Sequence, residues 1–239
     1  MSEVRSGRPL GRLVTEMIVI VASILLAFWI EAAWEERSDR TRERQALGDL
    51  QADFLESRKQ LQDGIELGRI RITSLEALGA VATSRIPAPS RDSINILLGQ
   101  ILWVNSMDPV TSTLDYLKGS GELGILRSER LRILLAGWES DVRDTKEDEA
   151  VLAHSTFSDL WEWYRRGPPM ANPFGILPEA VLSQDSVDVL PFLKTREFQN
   201  LVAQQYALQF VVNSDLAETD SLISEILEVV GAELEGAGR

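Results

Sequence analysis

A chain of 239 residues without cysteine has room for one sizeable folded domain, but it cannot form disulfides, thiolate active sites or cysteine-ligated zinc sites. Its formal net charge of −13 disfavours nucleic acid as a partner, because a phosphate backbone is bound through basic surface. No bound cofactor is expected from the composition.

The most apolar stretch lies near the start of the sequence, at residues 13–30 (LVTEMIVIVASILLAFWI). A hydrocarbon core of about 30 Å requires roughly 20 apolar residues in a helix, and the flanking residues extend the run to that length. Lipid offers no hydrogen bonds to the backbone, so such a span has to be helical. Trp29 and Trp34 lie where interfacial aromatic residues are usually found. We therefore predict a transmembrane helix in the lipid bilayer over residues 13–33.

A cleaved signal peptide is the alternative to a permanent anchor, because three arginines precede the apolar run. The end of the run argues against cleavage, since bulky Phe28, Trp29 and Ile30 precede Glu31 and no small-x-small site follows. Long domains cross the membrane largely irrespective of their charge. We expect residues 1–12 to form a short cytoplasmic tail and the remaining domain to lie across the membrane.

Three residues of the span form a candidate surface for association between transmembrane helices. Glu16 is the only acidic residue of the apolar run at 13–30, and it could serve as an interhelical or proton-carrying carboxylate. Its shallow depth favours pairing with Arg12, four residues earlier. Ser23 and Ala27 lie near the same helical face and form a small-xxx-small pair, which allows close approach of a second helix.

Helical periodicity continues beyond the span and predicts a long stalk helix over residues 34–84. Apolar residues recur near heptad spacing, except where Gly64 and Gly68 interrupt the stripe and suggest a bend. Pro87 and Pro89 should end this helix.

Helical periodicity also covers residues 85–235, and no stretch there alternates as a strand would. Ser128 and Thr195 each precede an apolar stripe and are suited to N-cap a helix, and Ser90 and Asp92 are both candidates to cap the helix that follows them. The predicted fold is therefore all-α. One N-terminal transmembrane helix continues into the stalk helix, against which a helical bundle packs, and residues 236–239 form a flexible C-terminus.

Two shorter segments complete this scheme. A short helix from Thr111 to Lys118 should be closed by Gly119 and Gly121, with Gly121 in a left-handed conformation. Residues 170–191 should be irregular apart from a short helix near 179–182.

Three sequence patterns resemble functional motifs but lack the structural context that each motif needs. The G-x-G-x-x-G sequence at 119–124 lacks the preceding strand of a dinucleotide site. His154, Ser155 and Asp159 are neighbours on one helix and cannot align as base, nucleophile and orienting acid. The acidic residues within 141–149 do not converge from a loop, as calcium ligands do. We expect neither a metal site nor enzyme activity.

An aromatic and basic cluster precedes the irregular segment and consists of Trp161, Trp163, Tyr164, Arg165 and Arg166. It could be an interaction patch for a partner. The favoured interpretation is packing at the end of the bundle, with the arginines near a helix C-terminus.

Two stretches carry a resemblance to a known family. The first comprises residues 11–28 with the WEER sequence at 34–37, and the second is STLDYLKGSGELGIL at 112–126. Together they resemble a bacterial family of single-pass membrane proteins known only as a domain of unknown function. This resemblance implies a membrane anchor and a helical domain, and it supplies no activity. The orientation argued above places the anchor in the bacterial inner membrane and the domain outside the cytoplasm.

The sequence therefore favours a membrane-anchored, non-enzymatic helical scaffold or protein-interaction protein of the bacterial cell envelope. Its partner would be a second copy, giving a homo-oligomer, or another envelope protein. The alternative is a sensor-like helical ligand-binding domain. Because the chain has one predicted span and a short cytoplasmic tail, such a sensor would act through a partner protein.

Overall fold

The computed structural model describes residues 9–167 and 188–236, with side chains from Leu13 onward. Its helices are α1 (Pro9–Ala82), α2 (Arg91–Gln100), α3 (Ser112–Gly119), α4 (Glu129–Ser155), α5 (Trp161–Arg166), α6 (Leu190–Leu193) and α7 (Arg196–Gly236). A 3-10 turn at Glu122–Ile125 precedes α4, and a π-helical segment at Thr156–Leu160 joins α4 to α5. The predicted all-α fold is confirmed. The short helix predicted near 179–182 lies outside the described residues.

Helix α1 runs without interruption for 74 residues, which corresponds to a length of about 110 Å. Every residue from Leu13 to Ile30 is exposed, and no described side chain before Ala46 is buried. Within the described part of the chain, α1 is the one helix long and apolar enough to cross a membrane. The predicted stalk thus has two parts: a bare stretch of about 20 Å, and a longer stretch that forms the central helix of the bundle.

Helix α7 packs along α1 in the antiparallel direction. Val202 near the start of α7 lies against Gly79 near the end of α1. Farther along, Arg58 Nε lies 3.2 Å from Asp220 Oδ1. Helix α4 packs on α7, and α2 packs on the last turns of α1. The chain thereby returns toward the start of the bundle, so that α7 ends near the bare stretch of α1.

Two hydrophobic cores follow one another along α1. The proximal core, nearer the predicted span, is centred on Leu50, Phe54 and Trp138, and the rings of Phe54 and Trp138 meet edge-on with centroids 5.1 Å apart. In the distal core, the rings of Trp163 and Phe198 pack with centroids 4.5 Å apart. Both cores consist of apolar side chains removed from water, which is the main favourable term in folding.

Three of the predicted N-caps are confirmed. The side-chain oxygens of Ser90, Ser128 and Thr195 each accept a hydrogen bond from the backbone amide three residues later, at 3.2, 3.4 and 3.2 Å. Each bond satisfies one of the amides that the first turn of a helix leaves unpaired.

The turn after α3 passes through Gly121, whose φ of 75° confirms the predicted left-handed conformation. Leu114, Leu117 and Leu126 around this turn are buried, whereas Leu123 is only half-buried. The turn therefore pins the α3 segment against α1 through apolar contacts.

Replacing Gly121 with valine should reduce the free energy of unfolding by about 1–3 kcal/mol, because a β-branched residue is strained at positive φ. Gly119→Val is the matched control, since a Cβ there meets nothing within 4 Å and the backbone lacks a positive φ. The melting temperatures of both variants are measured by thermal unfolding of the full chain in a neutral detergent, monitored by circular dichroism. Equal melting temperatures for the two variants would contradict the strain argument.

Candidate functional site

A charged side chain is buried where the two cores meet. Arg71 on α1 is 1 % exposed, although a cationic head is normally kept in water. With Thr156, Gln205 and Gln209 it forms a polar layer across the bundle. We take this polar layer as the candidate functional site, because buried charge is costly unless it serves packing or binding.

The guanidinium of Arg71 is held by four hydrogen bonds. Nε donates to the carbonyl oxygen of Ile101 at 2.9 Å, and Nη1 donates to Gln209 Oε1 at 3.0 Å. Nη2 donates to Thr156 Oγ1 at 2.9 Å and to Gln205 Oε1 at 2.6 Å. One side chain thus connects α1 with the end of α2, the π-helical segment and α7.

All four of these acceptors are neutral oxygens. Burial lowers the pKa of Arg71 to about 10, so the group stays cationic at neutral pH. The negative charge nearest along the network is reached indirectly: Gln205 Nε2 donates to Ser155 Oγ at 2.8 Å, and Ser155 Oγ donates to Asp159 Oδ2 at 3.1 Å. The polar layer therefore pairs four of the five N–H groups of Arg71 without placing a carboxylate against it.

The π-helical segment begins within the polar layer. Its wider turn starts at Thr156, whose hydroxyl accepts from Arg71 and lies 2.9 Å from the carbonyl oxygen of Leu152. Single π-helical turns are rare and concentrate at functional sites. Ser155, which the sequence placed beside His154 as a superficial catalytic pair, is buried within this network, whereas His154 is exposed.

Two glycines on α1 allow the polar layer to close. A Cβ added at Gly68 would lie 2.1 Å from Asn213 Oδ1 and 2.9 Å from Gln209 Nε2. At Gly64 it would lie 3.2 Å from Asn105 Nδ2. The glycines that interrupt the apolar stripe therefore make room for the amide side chains of Asn105, Gln209 and Asn213, and α1 continues through both as a helix.

A narrow cleft opens beside the polar layer, between α1, α4, α7 and the loop after α2. Its interior measures about 20 Å³, which is room for one water-sized molecule. Polar groups reach it from Arg71, Asn105, Glu149 and Gln209. Glu149 is buried; its Oε1 accepts from the amide of Met107 at 2.9 Å, and burial raises its pKa. The cleft thus combines a buried cation, a buried acid and amide groups.

Acidic side chains of α4 and α7 form a second polar cluster, lined by Asp141, Asp144, Asp215 and Glu218. Burial and a carboxyl–carboxyl contact with Asp148 raise the pKa of Asp215 to about 6. Among the described residues, no group of three or more His, Asp and Glu is arranged to hold a metal ion. The arrangement brings like charges together and offers no ligand set.

The structure divides the predicted aromatic and basic patch. Trp163 and Tyr164 are buried in the distal core, where Trp163 packs on Phe198, so these two rings offer no exposed surface. Trp161 is half-buried at the edge of this core. The two arginines that follow are exposed and form ion pairs with Glu162. The aromatic rings therefore pack at the end of the bundle and the arginines lie at the C-terminus of α5, as the favoured interpretation of the cluster has it.

The candidate association surface of the span lies on the bare part of α1. Glu16, Ser23 and Ala27 are all exposed and share one face of the helix. The Ser23 hydroxyl donates to the carbonyl oxygen of Val19 at 2.7 Å, so it is satisfied within its own helix. Within the described chain, no other helix covers this face.

Comparison with known proteins yields no match: no family model, no curated protein and no solved structure is similar to this chain. The function therefore has to be argued from the residues themselves.

Gly68→Ala should lower the free energy of unfolding by about 1–3 kcal/mol, because the new methyl group displaces the amides of Asn213 and Gln209, and Gln209 accepts a hydrogen bond from Arg71. Gly48→Ala on the same helix is the control, since a Cβ there meets nothing and alanine gains roughly 1 kcal/mol in helix propensity. Thermal unfolding of the full chain in neutral detergent compares the two. If Gly68→Ala stabilised the protein as much as Gly48→Ala does, the polar layer would not be closely packed.

Proposed function

We propose that the protein is a single-pass, membrane-anchored helical scaffold of the bacterial cell envelope. It presents an acidic bundle at a fixed height above the inner membrane and acts by binding another protein, not by catalysis. The observation that carries this proposal is the continuity of α1 from the apolar run into the core of the bundle. A continuous helix transmits position and orientation, whereas a flexible linker would lose both.

Ion pairs at the base of the bundle support a fixed geometry. The α3–α4 connection reaches the bare stretch of α1 through Arg127, whose Nη2 lies 2.8 Å from Glu36 Oε1 and whose amide donates to Glu43 Oε1 at 2.7 Å. Arg127, and then Arg40, hold the pKa of Glu36 below its usual value. Exposed pairs of this kind contribute little individually, but together they orient the bundle relative to the helix that bears it.

The state of the hydroxyl groups supports a non-enzymatic role. A nucleophile needs a base within hydrogen-bond reach and access to substrate. In the polar layer, the hydroxyls of Ser155 and Thr156 are buried, so a substrate has no access to them even though Ser155 Oγ donates to Asp159 Oδ2. His154 is exposed and lies outside that network.

The orientation we propose places the N-terminal tail in the cytoplasm and the bundle in the periplasm or an equivalent extracytoplasmic space. It is supported by the arginines before the span and by the length of the domain after it. Membership of the bacterial single-pass family that the sequence resembles is part of the same proposal.

A sensor-like role is the second candidate, favoured by the cleft beside Arg71. The cleft lies on the same helix that forms the predicted span, about 60 Å from Ile30 along the axis. A ligand that moved Arg71 would therefore act on a helix entering the membrane, and its signal would pass to a partner protein.

The topology can be tested with single cysteines, because the chain contains none of its own. Ser221→Cys, on an exposed position of α7, should react with an impermeant maleimide in intact spheroplasts. Ser2→Cys should react only after the membrane is permeabilised. Equal labelling of the two in intact spheroplasts would refute the proposed orientation, and full-length protein in the soluble fraction would refute the anchor.

Purification from detergent-solubilised membranes tests the scaffold itself. We expect a stoichiometric second polypeptide, or a second copy of the chain, in the particle mass. If that copy binds through the span, Ser23→Leu combined with Ala27→Leu should weaken the dimer by about 1 kcal/mol, roughly fivefold, and Ala22→Leu should change it less. A monomer that carries only a small molecule would favour the sensor, and a monomer that carries nothing would count against both.

A further inference from the structure

The cleft beside Arg71 contains a feature that a scaffold does not require. It borders a buried cation whose described hydrogen-bond acceptors are all neutral. We propose that this cleft binds a small monovalent anion, of halide or formate size, at the Nη1 edge of Arg71. The inference goes beyond the scaffold role and does not depend on it.

The charge of Arg71 supplies the attraction. A guanidinium removed from water is costly unless an opposite charge compensates it. Among its described contacts, the carboxylate of Asp159 is reached only through Gln205 and Ser155. An anion in direct contact would compensate the charge in a medium of low dielectric constant, where such an interaction is stronger than in water.

The direction of the guanidinium supplies the binding group. Of its four partners, Ile101, Thr156 and Gln205 lie outside the cleft lining, whereas Gln209 belongs to it. We therefore infer that the Nη1 edge, which donates to Gln209, faces the cleft that both residues line. Nη1 carries two N–H groups and one of them is directed at Gln209, which leaves the second for a ligand.

The dimensions of the cleft limit what can enter. An interior of about 20 Å³ has room for one particle about the size of a water molecule, so we infer an upper limit of halide or formate size. Gly64 and Gly68 form one wall without side chains, and Leu61 and Leu152 contribute apolar surface. Larger organic anions are excluded by these walls.

Glu149 is the acidic group that also lines this cleft. Its carboxylate is held by other groups: Oε1 accepts from the amide of Met107 at 2.9 Å, Oε2 accepts from Ser106 Oγ at 3.0 Å, and its charged neighbour is Lys146. Burial raises its pKa, which favours the neutral carboxyl and reduces repulsion of an anion.

Thermal unfolding of the full chain in a neutral detergent tests the proposal. Sodium bromide and sodium formate are titrated against sodium gluconate at constant ionic strength, because gluconate is too large for the cleft. At a tenfold excess over Kd, bromide or formate should raise the melting temperature by about 3–6 °C, and gluconate should not. A response to only one of the two small anions would identify the ion and support the site.

Three variants test whether the rise in melting temperature comes from anion binding in this cleft. Gly64→Ala places a methyl group in the cleft and should abolish the shift, as should Arg71→Met. Arg69→Met removes an exposed arginine of the same helix, paired with Glu66, and should retain it. If Arg71→Met does not fold, the response of Gly64→Ala tests whether the anion binds in the cleft. An anomalous bromide peak beside Nη1 in soaked crystals gives a second, independent test.

The proposal fails if gluconate acts as strongly as bromide and formate, since the effect would then be one of general salt. It also fails if Gly64→Ala responds like the wild type, which would place the ion elsewhere. Absence of any response to both small anions overturns it directly.

Discussion

The burial of one guanidinium at the junction of four helical segments constrains the whole bundle. Arg71 needs oxygen acceptors from several directions, and no single helix can supply them. Gln205 and Gln209 fix the register of α7 against α1, because a shift by one residue would turn both amides away. The carbonyl of Ile101 and the hydroxyl of Thr156 fix α2 and the π-helical segment in the same way. Apolar packing alone tolerates slippage, whereas this set of bonds specifies one arrangement.

The same layer separates the two cores and links them through α1. Apolar contacts stabilise each core, and the directional bonds between them align one core with the other. Arg71 lies on α1, and α1 also contains the apolar run at residues 13–30. A movement of Arg71 would therefore move the same helix that forms the predicted span. This mechanical continuity suits a scaffold that holds a surface at a set height, and it would equally suit a sensor whose cleft is occupied in one state.

The ends of the helices follow from the sequence more directly than the polar layer around Arg71 does. The N-caps at Ser90, Ser128 and Thr195 and the left-handed glycine at 121 follow from local chemistry, so they could be read from a few neighbouring residues. Arg71 was missed, because its position on the seam looks like any polar interruption of a heptad stripe. One feature of the sequence does point to a buried Arg71. Gly64, Gly68 and Arg71 share one face of the helix, and the two glycines leave space beside α1 for the groups that pack around the arginine.

Local properties of the sequence by themselves determined the helical class, the apolar run and its uninterrupted passage into the bundle, because hydropathy, periodicity and the lack of proline act over short distances. The tertiary structure alone decided which charged side chain turned inward. It also buried Trp163 and Tyr164 while it left their neighbouring arginines exposed, and it brought Asp215 of α7 against the acids of α4. These outcomes depend on partners that are distant in the chain, such as Gln205 and Gln209, which lie 134 and 138 residues from Arg71, and no local pattern records which partner a side chain will meet.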